Sequence, residues 1–352
     1  MRSMRTIAAA MSGLLLLSAC GVTPGEGSGG GSTSDKKAAL VIAQGGLGDE
    51  AYNDLAYKGF KAAAEENGVA GRPIESKDIV AEGEQLVRTA AGADYGLIAD
   101  LEFSHADMLG KVAKDFPKVQ FAIVNAVVEG PNVTSVVFKE HEGSYLAGVL
   151  AGLMTKAANN QKVNADNRIG FVGGTKSTGI DKFLIGYMEG ARSVNPSVTF
   201  DIKYADSFGD AAKGQQIANQ MYASGTDIVY TVAGGTGAGV IQSAKDTGHY
   251  AIGVDTDQDA IAKGFVLTSV IKRTDLAMSN LVKDFGSGEL QGGETVSYGL
   301  KEDGVGLSEM KHTKQEVPAD VLAKVDAAKA DIISGKVKVW DVTEQGYPDW
   351  AK

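Results

Sequence analysis

A single cysteine, Cys20, stands in a chain of 352 residues. That excludes a disulfide within the chain and a cysteine-built metal site. The four histidines (His105, His141, His249 and His312) are scattered and fall in no metal-ligand spacing such as H-E-x-x-H. Neither a G-x-S-x-G elbow nor a G-x-x-x-x-G-K-[ST] phosphate loop occurs. The turn at 170–175 (GFVGGT) follows an apolar run but lacks the G-x-G-x-x-G spacing of a dinucleotide site. No catalytic residue, metal or cofactor is expected. After the first twenty residues no apolar run nears the ~20 uncharged residues that a spanning helix needs. Positive charge is in deficit, with 34 Lys and Arg against 44 Asp and Glu, a net charge of −10. An acidic surface argues against nucleic acid and against a polybasic membrane patch.

The first residues read as a secretory leader. A basic start holds Arg2 and Arg5, residues 8–17 are apolar, and Ser18-Ala19-Cys20 closes the run. The segment 17–20 (LSAC) resembles a bacterial lipoprotein signal. Residues 1–19 are then a signal peptide, Cys20 is the lipidated N-terminus carrying palmitate-like acyl chains, and the net charge becomes −12 once both arginines leave. Residues 21–37 (GVTPGEGSGGGSTSDKK) are rich in Gly and Ser and nearly free of apolar side chains. They read as a flexible leash, with Cys20 and the leash together spanning 20–37. The expected location is the extracytoplasmic face of a bacterial cell membrane, held there by the lipid alone.

From residue 38 onward, short apolar runs alternate with helical patterns. Strands are expected at 38–42, 79–80, 95–98, 119–124 and 134–138. Helices are expected at 54–67, 84–92 and 105–115. A second series follows a long helix at 140–157, with strands at 168–172, 198–204, 228–232 and 251–254. Its helices fall at 180–194, 210–224 and 237–247. Alternation of this kind implies parallel strands joined by right-handed helical crossovers, and two such series imply two doubly wound α/β lobes. The strand at 266–271 and the helix at 274–287 are expected back in the first lobe, and a helix at 318–334 in the second. The first lobe is thus 38–139 plus 256–300, and the second 140–255 plus 301–352. Gly143, Gly148 and Gly152 in the long helix each cost about 1 kcal/mol relative to alanine. Gly148 and Gly152 lie on one face, which points to close helix packing.

In open α/β sheets, ligands settle at the carboxyl ends of the strands. The first strand delivers the turn 44–53 (QGGLGDEAYN), with Asp49, Tyr52 and Asn53. Later strands deliver Asn125, Phe208, the glycine turn at Gly234, Asp255 and Lys272. Two aromatics in polar turns, Tyr52 and Phe208, one per lobe, could sandwich a flat ligand, with stacking worth about 1–3 kcal/mol per ring. A carboxylate at 255 accepts from hydroxyls and an ammonium at 272 donates to oxygen. Each also has a plainer reading, Asp255 as a helix cap and Lys272 as a solvated strand end. Gly234 lets backbone N–H groups approach a ligand, since no side chain intervenes. A flat ring with hydroxyls describes a nucleoside.

The runs GGLGDEAYND, FKEHEGSYLAG (138–148), IGFVGG (169–174), SFGDAAKG (207–214), AGGTGAGV (233–240), GVDTDQ (253–258) and TSVIKR (268–273) resemble the basic membrane protein, or PnrA-like, family. They span about residues 38 to 340. The resemblance implies a periplasmic-binding-protein fold of the first type, two lobes crossed three times and closing on ligand. It also implies a lipoprotein that binds nucleosides, purine nucleosides favoured, and works with an ABC permease and its ATPase subunits, as a monomer. The base-holding aromatics of that family fall on Tyr52 and Phe208, and the asparagine after the first on Asn53. The ribose-contacting acid and lysine fall on Asp255 and Lys272, and the glycine of the fifth turn on Gly234. Three positions depart from the pattern. Ala43-Gln44 stand where an aspartate usually opens the first turn, Asn125 replaces an aspartate, and Tyr52 replaces a phenylalanine. A sugar or another small polar signalling ligand, feeding a transporter or a sensor, stays open because free sugars also use aromatic platforms. A secreted nucleoside hydrolase would need a metal-binding carboxylate cluster or an activated nucleophile; Asp255 and Asp257 could be argued into one, but no further motif supports it.

Overall fold

The computed structural model describes residues 36–157 and 160–351. The expected signal peptide and the lipidation at Cys20 lie outside the described residues. Lys36 and Lys37, read as the end of the leash, already belong to the fold. The Lys36 ammonium donates to the carbonyls of Phe285 (3.2 Å) and Gly286 (2.7 Å), and Lys37 opens the first strand.

The first lobe alternates strand and helix up to β4 and then adds a strand with no helix between: β1 (Lys37–Val41), α1 (Tyr52–Glu66), β2 (Ala70–Ile74), α2 (Ile79–Gly92), β3 (Leu97–Asp100), α3 (Ala106–Asp115), β4 (Gln120–Val124) and β5 (Val133–Phe138). The second continues with α4 (Glu140–Met154), β6 (Arg168–Gly173), α5 (Thr178–Val194), β7 (Thr199–Tyr204), α6 (Ala211–Ala223), β8 (Ile228–Val232), α7 (Gly235–Thr247), β9 (Tyr250–Asp255) and β10 (Val266–Lys272). Then come α8 (Thr274–Ser287), β11 (Thr295–Tyr298), β12 (Val305–Leu307), α9 (Ala319–Ile333) and α10 (Val342–Gln345). One sheet has the order β11-β5-β4-β3-β1-β2 and is parallel throughout. The other has the order β12-β10-β9-β8-β6-β7, and only its edge strand β12 is antiparallel.

Central strands such as β1, β8 and β9 are mostly apolar and almost wholly buried because helices cover both faces of each sheet. In the first lobe Phe60 of α1 and Met278 of α8 pack on one face, and Val87 of α2 and Val112 of α3 on the other. In the second, α4 and α5 cover the inner face and α6 and α7 the outer. Two of the long-helix glycines, Gly148 and Gly152, are explained by α5, whereas Gly143 faces Val270 of β10 and the β12 backbone. A Cβ on Gly148 would lie 2.1 Å from the Tyr187 carbonyl oxygen, and one on Gly190 would lie 2.0 Å from that of Tyr145. Backbone rests on backbone there, which only glycine permits. Among the described residues no helix is long and apolar enough to cross a membrane.

Two expectations are corrected. Ile79 and Val80 are the first turn of α2, started by the Asp78 carboxylate, which accepts from the Ala81 N–H at 3.2 Å. The strand lies earlier, at β2, an edge strand that tolerates Pro73 because it pairs only with β1. The strand at 266–271 belongs to the second sheet, not the first: β10 runs beside β9. The link at 256–265 is short and returns the chain to its neighbour, so the lobe changes only after Lys272. Helix α8 then packs against α1 in the first lobe, as expected, and α9 packs against α4 in the second. The chain crosses three times, after β5, after β10 and between β11 and β12. The crossings are tied side by side. Lys139 N–H donates to the Tyr298 carbonyl and Arg273 N–H to that of Gly304, each at 2.9 Å. The Phe138 and Tyr298 rings stack at 5.4 Å between centroids.

Candidate functional site

Between the lobes, at the carboxyl ends of both sheets, lies a cavity of about 270 Å³. All eight residues singled out from the sequence line it. Asp49, Tyr52, Asn53 and Asn125 come from the first lobe; Phe208, Gly234, Asp255 and Lys272 come from the second.

The turn after β1 is stitched by its own side chains. Asp49 carboxylate oxygens accept from the N–H groups of Ala51 (3.0 Å), Asn53 (2.9 Å) and Asp54 (3.1 Å), satisfying the start of α1. Asn53 accepts from the Ala43 N–H at 3.0 Å and donates to the Gln44 carbonyl at 3.3 Å. Asp54 accepts from Gly48 (2.8 Å) and Glu50 (3.0 Å). The crowd of hydrogen-bonding groups in this stretch therefore holds the turn in one shape. Asp49 and Asn53 face the cavity with much of their bonding capacity already used.

Tyr52 is fixed at its tip. Its hydroxyl donates to the Leu101 carbonyl at 3.0 Å and accepts from Asn125 Nδ2 at 3.1 Å. Asn125 Oδ1 in turn accepts from Lys272 Nζ at 2.7 Å, a bond that joins the first lobe to a strand of the second. Lys272 also donates to Glu140 Oε1 at 2.7 Å. Its ammonium lies 5.2 Å from the ring centre of Tyr52, 5.0 Å from Phe138 and 5.5 Å from Phe183. On the other side, the Phe208 ring lies over Gly174, where a Cβ would come within 2.2 Å of it. Gly234 has φ 52° and ψ −135°, a conformation for glycine alone, and sits beside the Phe208 carbonyl.

The lobes meet around this cavity. A Cβ on Gly45 would lie 3.2 Å from the Phe208 carbonyl oxygen, and Gln258 Nε2 donates to the Glu50 carbonyl at 3.4 Å. The conformation is closed.

Electrostatics single out Asp255. It is buried, φ is 66°, and its carboxylate has no hydrogen-bond partner among the described residues. Burial pushes its pKa up to about 7; Lys272 opposes this, while Asp49 and Glu140 add to it. Glu140 behaves oppositely. Burial would raise it, but Lys272 and Lys182 together hold it below the usual carboxylate range. Lys182 bonds to the Phe138 carbonyl (2.9 Å) and pairs with Asp341 (3.1 Å) and Glu140 (3.5 Å). Glu140, Lys182, Phe183 and Glu102 also line the cavity and were not singled out from the sequence. A lysine on the buried face of α5, close to Ile180 and Phe183, was the available signal for Lys182. Among the described residues no group of three or more His, Cys, Asp and Glu side chains could hold a metal ion.

The chain has known relatives. The family profile described as "ABC transporter substrate-binding protein PnrA-like" matches residues 36–340. The chain is 38% identical to a CD4+ T-cell-stimulating antigen of Listeria innocua, over 95% of this chain and 98% of that protein. It is 35% identical to the ABC transporter nucleoside-binding protein BmpA of Lactococcus lactis, over 94% and 97%. An ABC transporter solute-binding protein from Aeropyrum pernix has a similar structure. Its TM-score is 0.79 at 27% identity, covering 87% of this chain and 93% of that one.

Proposed function

The chain belongs to the PnrA-like family of ABC transporter substrate-binding proteins, and from that premise we propose that its ligand is a nucleoside, with purine nucleosides favoured. The base lies between Tyr52 and Phe208, whose rings reach one cavity from opposite lobes. The ribose hydroxyls donate to Asp255, and the remaining proton of the Lys272 ammonium meets a ribose oxygen. The observation that carries this reading is the buried Asp255 carboxylate. It has no hydrogen-bond partner among the described residues, on a cavity that also offers two rings. A buried acceptor of this kind is costly until a donor reaches it, and vicinal hydroxyls supply two. The name of the Lactococcus lactis relative supports the same ligand class.

Substrate-binding proteins of ABC transporters work with permease and ATPase components. In this reading the protein is a monomer tethered through lipidated Cys20 on the outer face of the membrane. Closure on the nucleoside creates the surface that the permease accepts, and the ligand leaves chemically unchanged. Calorimetric titration with adenosine, inosine, guanosine, uridine and free sugars tests the proposal. One-to-one binding of nucleosides is expected, with no free base released on prolonged incubation. Binding of a free sugar but of no nucleoside would reverse the assignment, and release of free base would make the protein a hydrolase.

A further inference from the structure

Two stacked rings hold the faces of a base but not its edge, and the first turn supplies a reader for that edge. Glu102 is buried, follows Leu101, whose carbonyl holds the Tyr52 hydroxyl, and lines the cavity. Its backbone N–H is fixed by Asp100 Oδ1 at 2.9 Å. Its carboxylate is surrounded by donors. Oε1 accepts from Ser104 N–H (3.2 Å) and Ser104 Oγ (2.6 Å), and Oε2 from Gln44 N–H (3.1 Å) and Gln44 Nε2 (3.3 Å). A carboxylate so placed only accepts, so it dictates which end of the Gln44 amide faces it. The Gln44 NH₂ group must point at Glu102, and the amide oxygen Oε1 points away from it. That oxygen has no partner among the described residues.

Gln44 lines the same cavity as Tyr52 and Phe208. Its carbonyl is held by Asn53, next to Tyr52, and the following residue, Gly45, lies against Phe208. We infer that Gln44, oriented by Glu102, presents a fixed hydrogen-bond acceptor to the edge of the base and selects nucleosides carrying an N–H there. The inference rests on the nucleoside reading and narrows it. The chemical class is a base with an exocyclic amine or a ring N–H on its pairing edge, as in adenosine, inosine or guanosine. Purine riboside, which has only acceptors on that edge, is disfavoured. Gln44 is the contact residue and Glu102 a positioning residue.

Calorimetry with adenosine, inosine and purine riboside tests this. The native protein should bind purine riboside about tenfold or more weakly than the other two, because an unmet amide oxygen meets only acceptors. Gln44→Met keeps the side-chain length without the acceptor; adenosine and inosine should lose about tenfold and the gap should close. Glu102→Gln lets the Gln44 amide turn round, so the gap should shrink while adenosine still binds. If native protein shows no gap, or Gln44→Met keeps it whole, the inference is overturned while the nucleoside reading stands. If none of the three binds, the nucleoside reading fails and takes this inference with it.

Discussion

Replacing Asp255 by asparagine should make the ligand-free protein more stable while weakening its grip on a nucleoside. In the closed structure the carboxylate is 6% exposed and titrates at about 7 instead of its ordinary 3.8. Each pKa unit is worth about 1.4 kcal/mol, so three units give an upper bound of about 4 kcal/mol. Opening of the lobes rehydrates the group and returns part of that. The sign follows from proton counting. Between pH 4 and 7 the folded protein keeps this proton and the unfolded chain has lost it. Stability therefore falls as pH rises through that window and levels off above 7. Asparagine removes the charge and with it the pH-dependent loss. Urea unfolding of both proteins from pH 4 to 8 should show the variant more stable by about 1–4 kcal/mol at pH 8, the margin vanishing towards pH 4. Adenosine affinity at pH 8 should drop by roughly tenfold or more, since one amide oxygen replaces two charged acceptors. A variant no more stable at pH 8, or equally favoured at both ends of the range, would refute the reasoning.

Other perturbations probe neighbouring features. Phe208→Ala removes one face of the sandwich and should weaken nucleoside binding by roughly tenfold or more; unchanged affinity in calorimetry would put the ring outside the site. Lys272→Met leaves Glu140 paired with Lys182 alone and should cost about 3–5 kcal/mol of stability in urea unfolding. Adding Glu140→Gln should restore most of that stability but not the affinity, and a double variant as unstable as the single would contradict the pairing. Gly190→Ala forces a Cβ against the Tyr145 carbonyl and should destabilise by about 1–3 kcal/mol or more; an unaltered midpoint would deny the contact between α4 and α5.

Much of the architecture was legible because strands covered on both faces are mostly apolar. β1, β4, β8 and β9 announce themselves this way, and the helices between them show one apolar face. Edge strands carry no such signature. β2 is short, half polar and contains Pro73, so the eye moves on to Ile79-Val80, whose helical start depends on the Asp78 cap. β11 and β12 are equally faint, at four and three residues. An apolar run also does not say which sheet it joins. β10 joins the second sheet rather than the first because the crossing depends on the path of 256–265, not on the composition of the strand. The site followed from one topological rule, that strand ends converge, and that rule places all eight chosen residues on a single cavity. It is silent about residues that arrive from helices or by packing between lobes, and so Glu140 and Lys182 were missed. Nor could it show that Asn53 and Asp49 spend their hydrogen bonds on the turn.

The central claim is that one planar base is gripped by a ring from each lobe while its sugar meets the acid and amine of the second lobe. A crystal structure of the protein soaked or grown with inosine or adenosine tests it most directly. The account predicts the base in stacking contact with Tyr52 and Phe208, with ribose hydroxyls within hydrogen-bond distance of Asp255 and Lys272. A nucleoside bound elsewhere, or seated with its sugar between the two rings, would contradict it.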